Sequence, residues 1–436
     1  MSGNAGPSAE MRVLMIAYHF PPLAFGSGIE RTLRFVQQLP ALGWQPLVLS
    51  AAPRAYDRVD PAAAAAVPPG VPVRRAFALD ARRDLSLRGR YLACTADPDR
   101  WTSWRFDGVR QGMAMIEEFK PQVIWSTYPI PTAHVIAARL QKRTGLPWIA
   151  DFRDPMLQKD YPTIAALRRS FSRIEETAVR HASRCVFAAP GALRDYGERY
   201  PGHEDRFVLL ENGYDESSFI ESEARVGAAP PEGQAGGPRV LLHSGLVYPS
   251  ERDPTQLFEA LGALARGGWL TPARLRLRFR ASHHDDLLRG LAQRHGVTDC
   301  IELLPPLPHA QAVDEMLRAD ALLVMQAANC NGQIPAKVYE YLRARRPILG
   351  LTDPGGDTAA TLRAAGVDAL APLDRAPAIE TALREFVAAI EEGRAALPHP
   401  AAVTAASRGA RARGLAELLA EAAADAGRAG SPVRHA

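Results

Sequence analysis

Cysteine is scarce: four residues among 436, at positions 94, 185, 300 and 330. None stands close to another in sequence, which excludes a Cys-x-x-Cys zinc or redox site and a disulfide framework, and suits a reducing compartment. Strong charge of either sign is also lacking. Lys plus Arg number 52 and Asp plus Glu 48, a net +4 that predicts no nucleic-acid partner. No apolar run approaches the roughly 18–20 residues of a membrane span. The opening MSGNAGPSAE has no basic region or apolar core of a secretion signal, so residues 1–10 read as a loose tail on a soluble, cytoplasmic chain. Several chemical motifs are missing too. Arg31 breaks a Gly-x-Gly-x-x-Gly dinucleotide fingerprint, and there is no Gly-Lys-Ser/Thr phosphate loop, Gly-x-Ser-x-Gly elbow or internal repeat. No His/Cys/Asp cluster has metal-ligand spacing, so no metal and no bound cofactor are expected.

What is present is ordinary globular material, 47% apolar and 23% charged. At about 150 residues per domain the length predicts two or three domains. Arg12 to Tyr18 is a continuous apolar run of strand length. After it come Phe20-Pro21-Pro22, a Gly26-Ser27-Gly28 turn, a helical pattern over 29–42 and a second buried strand over 45–50. That order is the βαβ unit of a parallel sheet. The alternation continues through strands near 123–126, 147–150, 185–188 and 207–210. It stops in a Gly/Pro-rich stretch, 221–238, and then restarts from Arg239 with strands to about 351. The predicted fold is α/β, two Rossmann-like doubly wound units: 11–220, a linker at 221–238, and 239–400. A helical tail, 401–436, is expected to pack back on the first unit. Residues 54–106 read as loop.

Ligands of open parallel sheets collect beyond the carboxyl ends of the strands, and the candidate residues fall there. Gly26 and Gly28 follow the first strand; they make either a plain tight turn or a backbone cradle for an anion. His243-Ser244-Gly245 ends the first strand of the second unit, with Arg252 in the next loop as a solvated side chain or a phosphate fork. Ile334-Pro335-Ala336-Lys337 opens a helix, with Glu340 one turn on. A lysine there works against the helix dipole unless an anion is present; the alternative is a surface Lys–Glu pair. Asp151-Phe152-Arg153-Asp154-Pro155 reads as a loop, either self-neutralising or built for sugar hydroxyls. His134 stands near a helix start, where an isolated histidine is more often structural. On the helix over 164–182, Arg168, Arg169, Arg173 and Arg180 alternate with Leu167, Phe171 and Ile174. That pattern fits a core-packed helix with a charged outer side, or a basic face for anionic headgroups.

Taken in order, these motifs resemble the retaining, nucleotide-sugar-using GT-B glycosyltransferases of the family 4-like type, over about residues 11–370. Tyr18 to Pro22 with Gly26 to Arg31 resembles the family's first loop, and Asp151 to Pro155 the DFRDP loop of a bacterial polysaccharide branch. Asn212-Gly213-Tyr214-Asp215 with Phe219 resembles the signature closing the first domain, and 334–347 the donor-site helix. The resemblance implies two domains facing each other across a cleft and transfer of a sugar from a nucleotide-diphosphate donor to a glycan, lipid-linked or small-molecule acceptor. No metal would be required, and contact with the inner face of the cytoplasmic membrane would be peripheral. It implies catalytic roles for His134, Asp151, Arg252 and Lys337, and donor contacts from Gly26, Gly28, His243, Gly245, Arg252, Ile334, Pro335, Ala336, Lys337 and Glu340. Glu340 stands in the place of the second Glu of a Glu-x7-Glu motif, whereas the first is Gly332. That departure keeps open a silent sugar-nucleotide binding subunit, and the fold a sugar-nucleotide epimerase, beside the transferase.

Overall fold

The computed structural model describes residues 11–24, 27–88, 90–158, 161–227 and 230–429. The chain divides into two compact units, one running to Glu211 and taking back the segment from Arg411, the other Asn212–Ala410. The tail 1–10 and Gly26 lie outside the described residues.

The first unit is a seven-stranded parallel sheet. Its strands are β1 (Met11–Ile16), β2 (Trp44–Ala51), β3 (Val73–Ala76), β4 (Val123–Thr127), β5 (Trp148–Arg153), β6 (Arg184–Phe187) and β7 (Phe207–Leu209), ordered β3-β2-β1-β4-β5-β6-β7. Helices cover both faces, so the central strands are apolar without alternation: Val13 to Ile16 are fully buried. On one face the helices Trp104–Phe119 and Pro131–Thr144 approach closely through two small residues one turn apart. A Cβ at Gly108 or Gly112 would lie 2.6 Å from Ile136 or Leu140. On the other face lies the carboxyl-terminal helix Arg408–Ala429, whose Ala412, Leu415, Leu419 and Ala422 bury against β1 and β4 side chains.

The second unit is a six-stranded parallel sheet of β8 (Arg239–Ser244), β9 (Leu275–Arg280), β10 (Ile301–Leu304), β11 (Ala321–Met325), β12 (Ile348–Leu351) and β13 (Leu370–Ala371), ordered β10-β9-β8-β11-β12-β13. In each sheet the order reverses beside the first strand, at β1/β4 and at β8/β11, where the crevices for ligands open.

The stretch 221–238, expected as a hinge, lies within the second unit. Its first residues complete a helix, Glu216–Val226, fixed to the helix His309–Arg318 by the Arg225–Asp314 ion pair at 2.9 Å. Arg343 holds the same helix through Glu216 and Glu223, both at 2.6 Å. Gly213 is the tight point of this region. Tyr214 N–H donates to the Ala406 carbonyl (3.2 Å) and Arg408 N–H to the Tyr214 carbonyl (2.8 Å), so a Cβ on Gly213 would meet the Ala406 oxygen at 2.6 Å. Backbone cannot rotate away as a side chain can. Gly213→Ala is therefore expected to cost about 2 kcal/mol and lower the melting temperature of this unit by several degrees, read by calorimetry.

Candidate functional site

In the second unit the site is built at the β8/β11 switch. His243, fully buried on β8, has its Nδ1 2.9 Å from the Leu323 carbonyl of β11. A carbonyl only accepts, so Nδ1 carries the proton and Nε2 presents a lone pair, 3.0 Å from Lys337 Nζ. Burial and the neighbouring ammonium hold His243 well below the usual imidazole range, hence neutral. Gly245 follows with φ +117, and a side chain there would touch Lys337 Nζ at 3.0 Å. Tyr341 accepts from Ser244 N–H at 2.8 Å, pinning the helix Lys337–Ala344 to the end of β8.

That helix begins without a side-chain cap, with Ile334 buried beneath its start and Pro335 and Ala336 leading in. Its first residue is Lys337. Burial and the positive charge of Arg252 push this ammonium down to about 7, with Glu340 acting weakly the other way. Arg252 donates to the Leu246 carbonyl (3.1 Å) and lies over the Tyr248 ring (5.6 Å), while its enclosed Nε has no partner. Two cations and an uncapped helix N-terminus therefore converge, an arrangement that favours a bound anion. Glu340 accepts from His309 Nε2 at 3.1 Å through Oε1 alone. At the position of the absent first glutamate, Gly332 is flanked by a backbone already engaged. Gln333 N–H donates to Cys330, and its carbonyl accepts from Gln326 and Thr358.

The structure thus brings together His243, Gly245, Arg252, Ile334, Pro335, Ala336, Lys337 and Glu340 in the second unit. His134 and Asp151 behave otherwise. His134 is fully enclosed on the inner side of the helix Pro131–Thr144. Its Nδ1 is 2.8 Å from Ser126 Oγ, and its ring packs on Phe152 (5.0 Å) and Trp148 (6.0 Å). Burial pushes it down to about 3. It is a neutral histidine enclosed in the core of the first unit, with its Nε2 buried and without a partner among the described residues. Asp151 lies within β5 and not in a loop after it; β5 runs on to Arg153 because all three residues are buried. Both carboxylate oxygens are taken by Arg31 (Oδ2 to Nε 2.9 Å, Oδ1 to Nη2 3.1 Å), and Thr127 adds a third bond at 3.2 Å. Asp151 is fully buried and positions Arg31.

Around that pair the first unit carries groups whose roles were not read in the sequence. Arg31 also donates to the Leu210 and Glu211 carbonyls, tying the helix Ser27–Gln38 to the end of the domain. Gly28, buried at the start of this helix, admits His19 and Arg153: a Cβ there would lie 2.5 Å from His19 Nδ1 and 2.9 Å from Arg153 Nη1. The signal was available in part, since an arginine on the inward face of a helix that also buries Ile29, Thr32 and Leu33 needs a buried partner. On the helix Ala165–His181, Phe171 is in the core, Ile174 packs on it, and Arg180 pairs with Glu176. That places the apolar residues inward, on the core-packed reading. Among the described residues no helix is long and apolar enough to cross a membrane, and no three His, Cys, Asp or Glu side chains gather as metal ligands.

Two parallel doubly wound sheets, the second with Lys337 and Arg252 beside a helix start at its switch point, make a GT-B-type architecture. Comparison with known proteins agrees. Residues 27–213 match the family model described as glycosyl transferase 4-like domain. No curated protein sequence matches the chain. Among solved structures, sucrose-phosphate synthase from Thermosynechococcus elongatus is similar at 14% identity, with 96% of this chain and 98% of that one covered and a TM-score of 0.59. A trehalose 6-phosphate synthase from Burkholderia multivorans is similar at 15% identity, covering 98% and 100%, TM-score 0.61. HepE of Anabaena, solved with UDP, is similar at 13% identity, covering 96% and 99%, TM-score 0.57. Residues 27–213 carry the glycosyl transferase 4-like domain, and the chain as a whole has the fold of these solved structures.

Proposed function

We propose that this transferase moves a sugar from a nucleotide-diphosphate donor, held by its second unit, to a glycan, lipid-linked or small-molecule acceptor with retention of anomeric configuration. One observation carries the reading: the buried Lys337 ammonium, repelled by Arg252, at an uncapped helix N-terminus. As the glycosidic bond breaks, negative charge grows on the departing diphosphate. Lys337, Arg252 and the first-turn N–H groups stabilise that charge, so the reading calls for no metal at this step. Glu340 keeps Oε2 for a ribose hydroxyl while His309 holds Oε1. No carboxylate at Gly332 means that the donor sugar is held without the glutamate of the family pattern. The similarity to HepE, solved with UDP-glucose, makes UDP-sugars the first donors to try. Proton NMR of the product formed from a matching donor tests the reading: a product with the donor's anomeric configuration supports it, and an inverted product or donor conversion without acceptor contradicts it.

The lowered Lys337 gives the reading a pH signature. A diphosphate favours the charged ammonium, so binding takes up a proton wherever the free protein has lost one, at and above pH 7. Affinity for a nucleotide-diphosphate sugar is expected to be flat between pH 5.5 and 6.5 and to fall by up to about tenfold per pH unit above 7. Calorimetry at pH 7 in buffers of different ionisation enthalpy should show close to half a proton taken up. Zero uptake would contradict it.

A further inference from the structure

Beyond the ends of β11, β12 and β13, beside the head of the helix Thr255–Arg266, the second unit holds a cavity of about 310 Å³. Ligand pockets run from roughly 300 to 1,000 Å³, so there is room for one small molecule. Among the described residues its walls include neither Lys337 nor Arg252, which sets it apart from the site at the β8/β11 switch. Gln326, the residue after β11, lines the cavity and is only 3% exposed. Its Nε2 donates to the Cys330 carbonyl (2.8 Å) and the Gln333 carbonyl (2.9 Å). Turning the amide over would set its oxygen against those two acceptors, so Oε1 is fixed facing away from them, on the cavity side. There it is enclosed and has no partner. A buried acceptor in that state is costly unless something donates to it.

The rest of the lining says what kind of donor fits. Asp253, Asp353 and Asp374 face a single cation, Arg375, so the wall is net negative. Asp253 caps the helix Thr255–Arg266 through Oδ1, which accepts from Thr255 N–H (2.9 Å) and Oγ1 (2.6 Å), and its Oδ2 is left over. Asp353 accepts from Asn331 Nδ2 (2.6 Å) and Gly355 N–H (2.8 Å), bonds that hold it below its ordinary value and therefore charged. Asp374 is exposed at the rim. Between these acceptors the wall is aliphatic, from Ala327, Pro372 and Leu373. Spaced acceptors, excess negative charge and aliphatic surface between them match a chain of methylenes carrying ammonium groups. We propose that this cavity binds an aliphatic amine of the polyamine class, with one ammonium donating to Gln326 Oε1 and the others to Asp253 and Asp374. The site stands whether or not a nucleotide is held at Lys337.

Calorimetric titration of the full chain with spermidine at neutral pH tests this. Wild type and Lys337→Met are each expected to bind a single spermidine. Asp253→Asn combined with Asp374→Asn keeps an oxygen to cap the helix and removes two charges, and should weaken binding at least tenfold. Ala328→Leu, at an exposed position on the cavity wall, keeps every charge but fills the space, and should do the same. Thermal melts confirm that each variant is folded. An uncharged diol of the same length should not bind. No spermidine binding to wild type, or unaltered binding in both the double aspartate variant and Ala328→Leu, would overturn the site. Equal binding of the diol would overturn the ammonium chemistry. Complete loss of spermidine binding at an ionic strength of about 0.15 M would show attraction to surface charge alone and overturn the site as well.

Discussion

Lys337→Met is expected to weaken nucleotide-diphosphate binding about a hundredfold and turnover by 10²–10³, while leaving the ligand-free protein more stable than wild type. The losses follow from position. Lys337 is the first residue of an uncapped helix, with Arg252 beside it and Gly245 leaving room over its Nζ. One ammonium contacting two phosphate oxygens supplies charge-assisted bonds of about 1.5–3 kcal/mol each. The same charge faces the diphosphate as it departs, where a removed donor typically costs roughly 3–4 kcal/mol. The gain in stability has the opposite origin. Without ligand the ammonium is buried against another cation, offset in part by the His243 lone pair at 3.0 Å and by Glu340, and an apolar chain of similar length carries no such penalty.

The sign is checkable by pH. With its folded value lowered from 10.5 to about 7, Lys337 binds fewer protons folded than unfolded between those limits. Wild-type stability should rise with pH across that window, and the advantage of the methionine variant should be largest at pH 7 and below and shrink towards alkaline pH. Denaturant unfolding at pH 6.5 and 9 measures this directly. A variant less stable than wild type at pH 6.5 would show that Lys337 is a structural residue.

Asp151→Asn should be the most destabilising single change in the first unit, at about 3–5 kcal/mol. Asp151 is fully buried and meets Arg31 through two bonds, and the substitution leaves the Arg31 guanidinium charged beside a neutral amide, with its bonds to the Leu210 and Glu211 carbonyls retained. The pair joins the helix Ser27–Gln38, β5 and the end of the domain, so its loss loosens all three. Replacing both partners with apolar residues, Arg31→Met with Asp151→Leu, should cost less than Asp151→Asn alone, because no charge is then stranded. Urea unfolding of the three variants tests it; equal costs for the single and the double would contradict a charge-stranding origin.

The fold was legible wherever burial on both faces made strands continuous. Val13 to Ile16, Val123 to Ser126 and Ala321 to Met325 are such runs, and each became a strand of its sheet. β3 was not legible, because Val73-Arg74-Arg75-Ala76 is an edge strand with half-buried arginines. The helix Trp104–Phe119 was hidden by the two glycines that let it pack closely. In the second unit the site was readable because local order places it: a strand end, a Gly, and a helix with Lys337 at its start. In the first unit it was not, because the decisive partners are about 120 residues apart. Nothing local says that Arg31 meets Asp151 or that Arg153 points at Gly28. His134 was illegible for the converse reason: position near a helix start says nothing about which side of the helix faces the core.

The central claim, a diphosphate site at Lys337 and Arg252, is tested most directly by titrating nucleoside diphosphates into wild type, Lys337→Met and Arg252→Met. Binding of one nucleotide series to wild type, weakened about a hundredfold in each variant with both still folded, is the expected result. Equal affinity in all three proteins, or no binding to wild type, would contradict it.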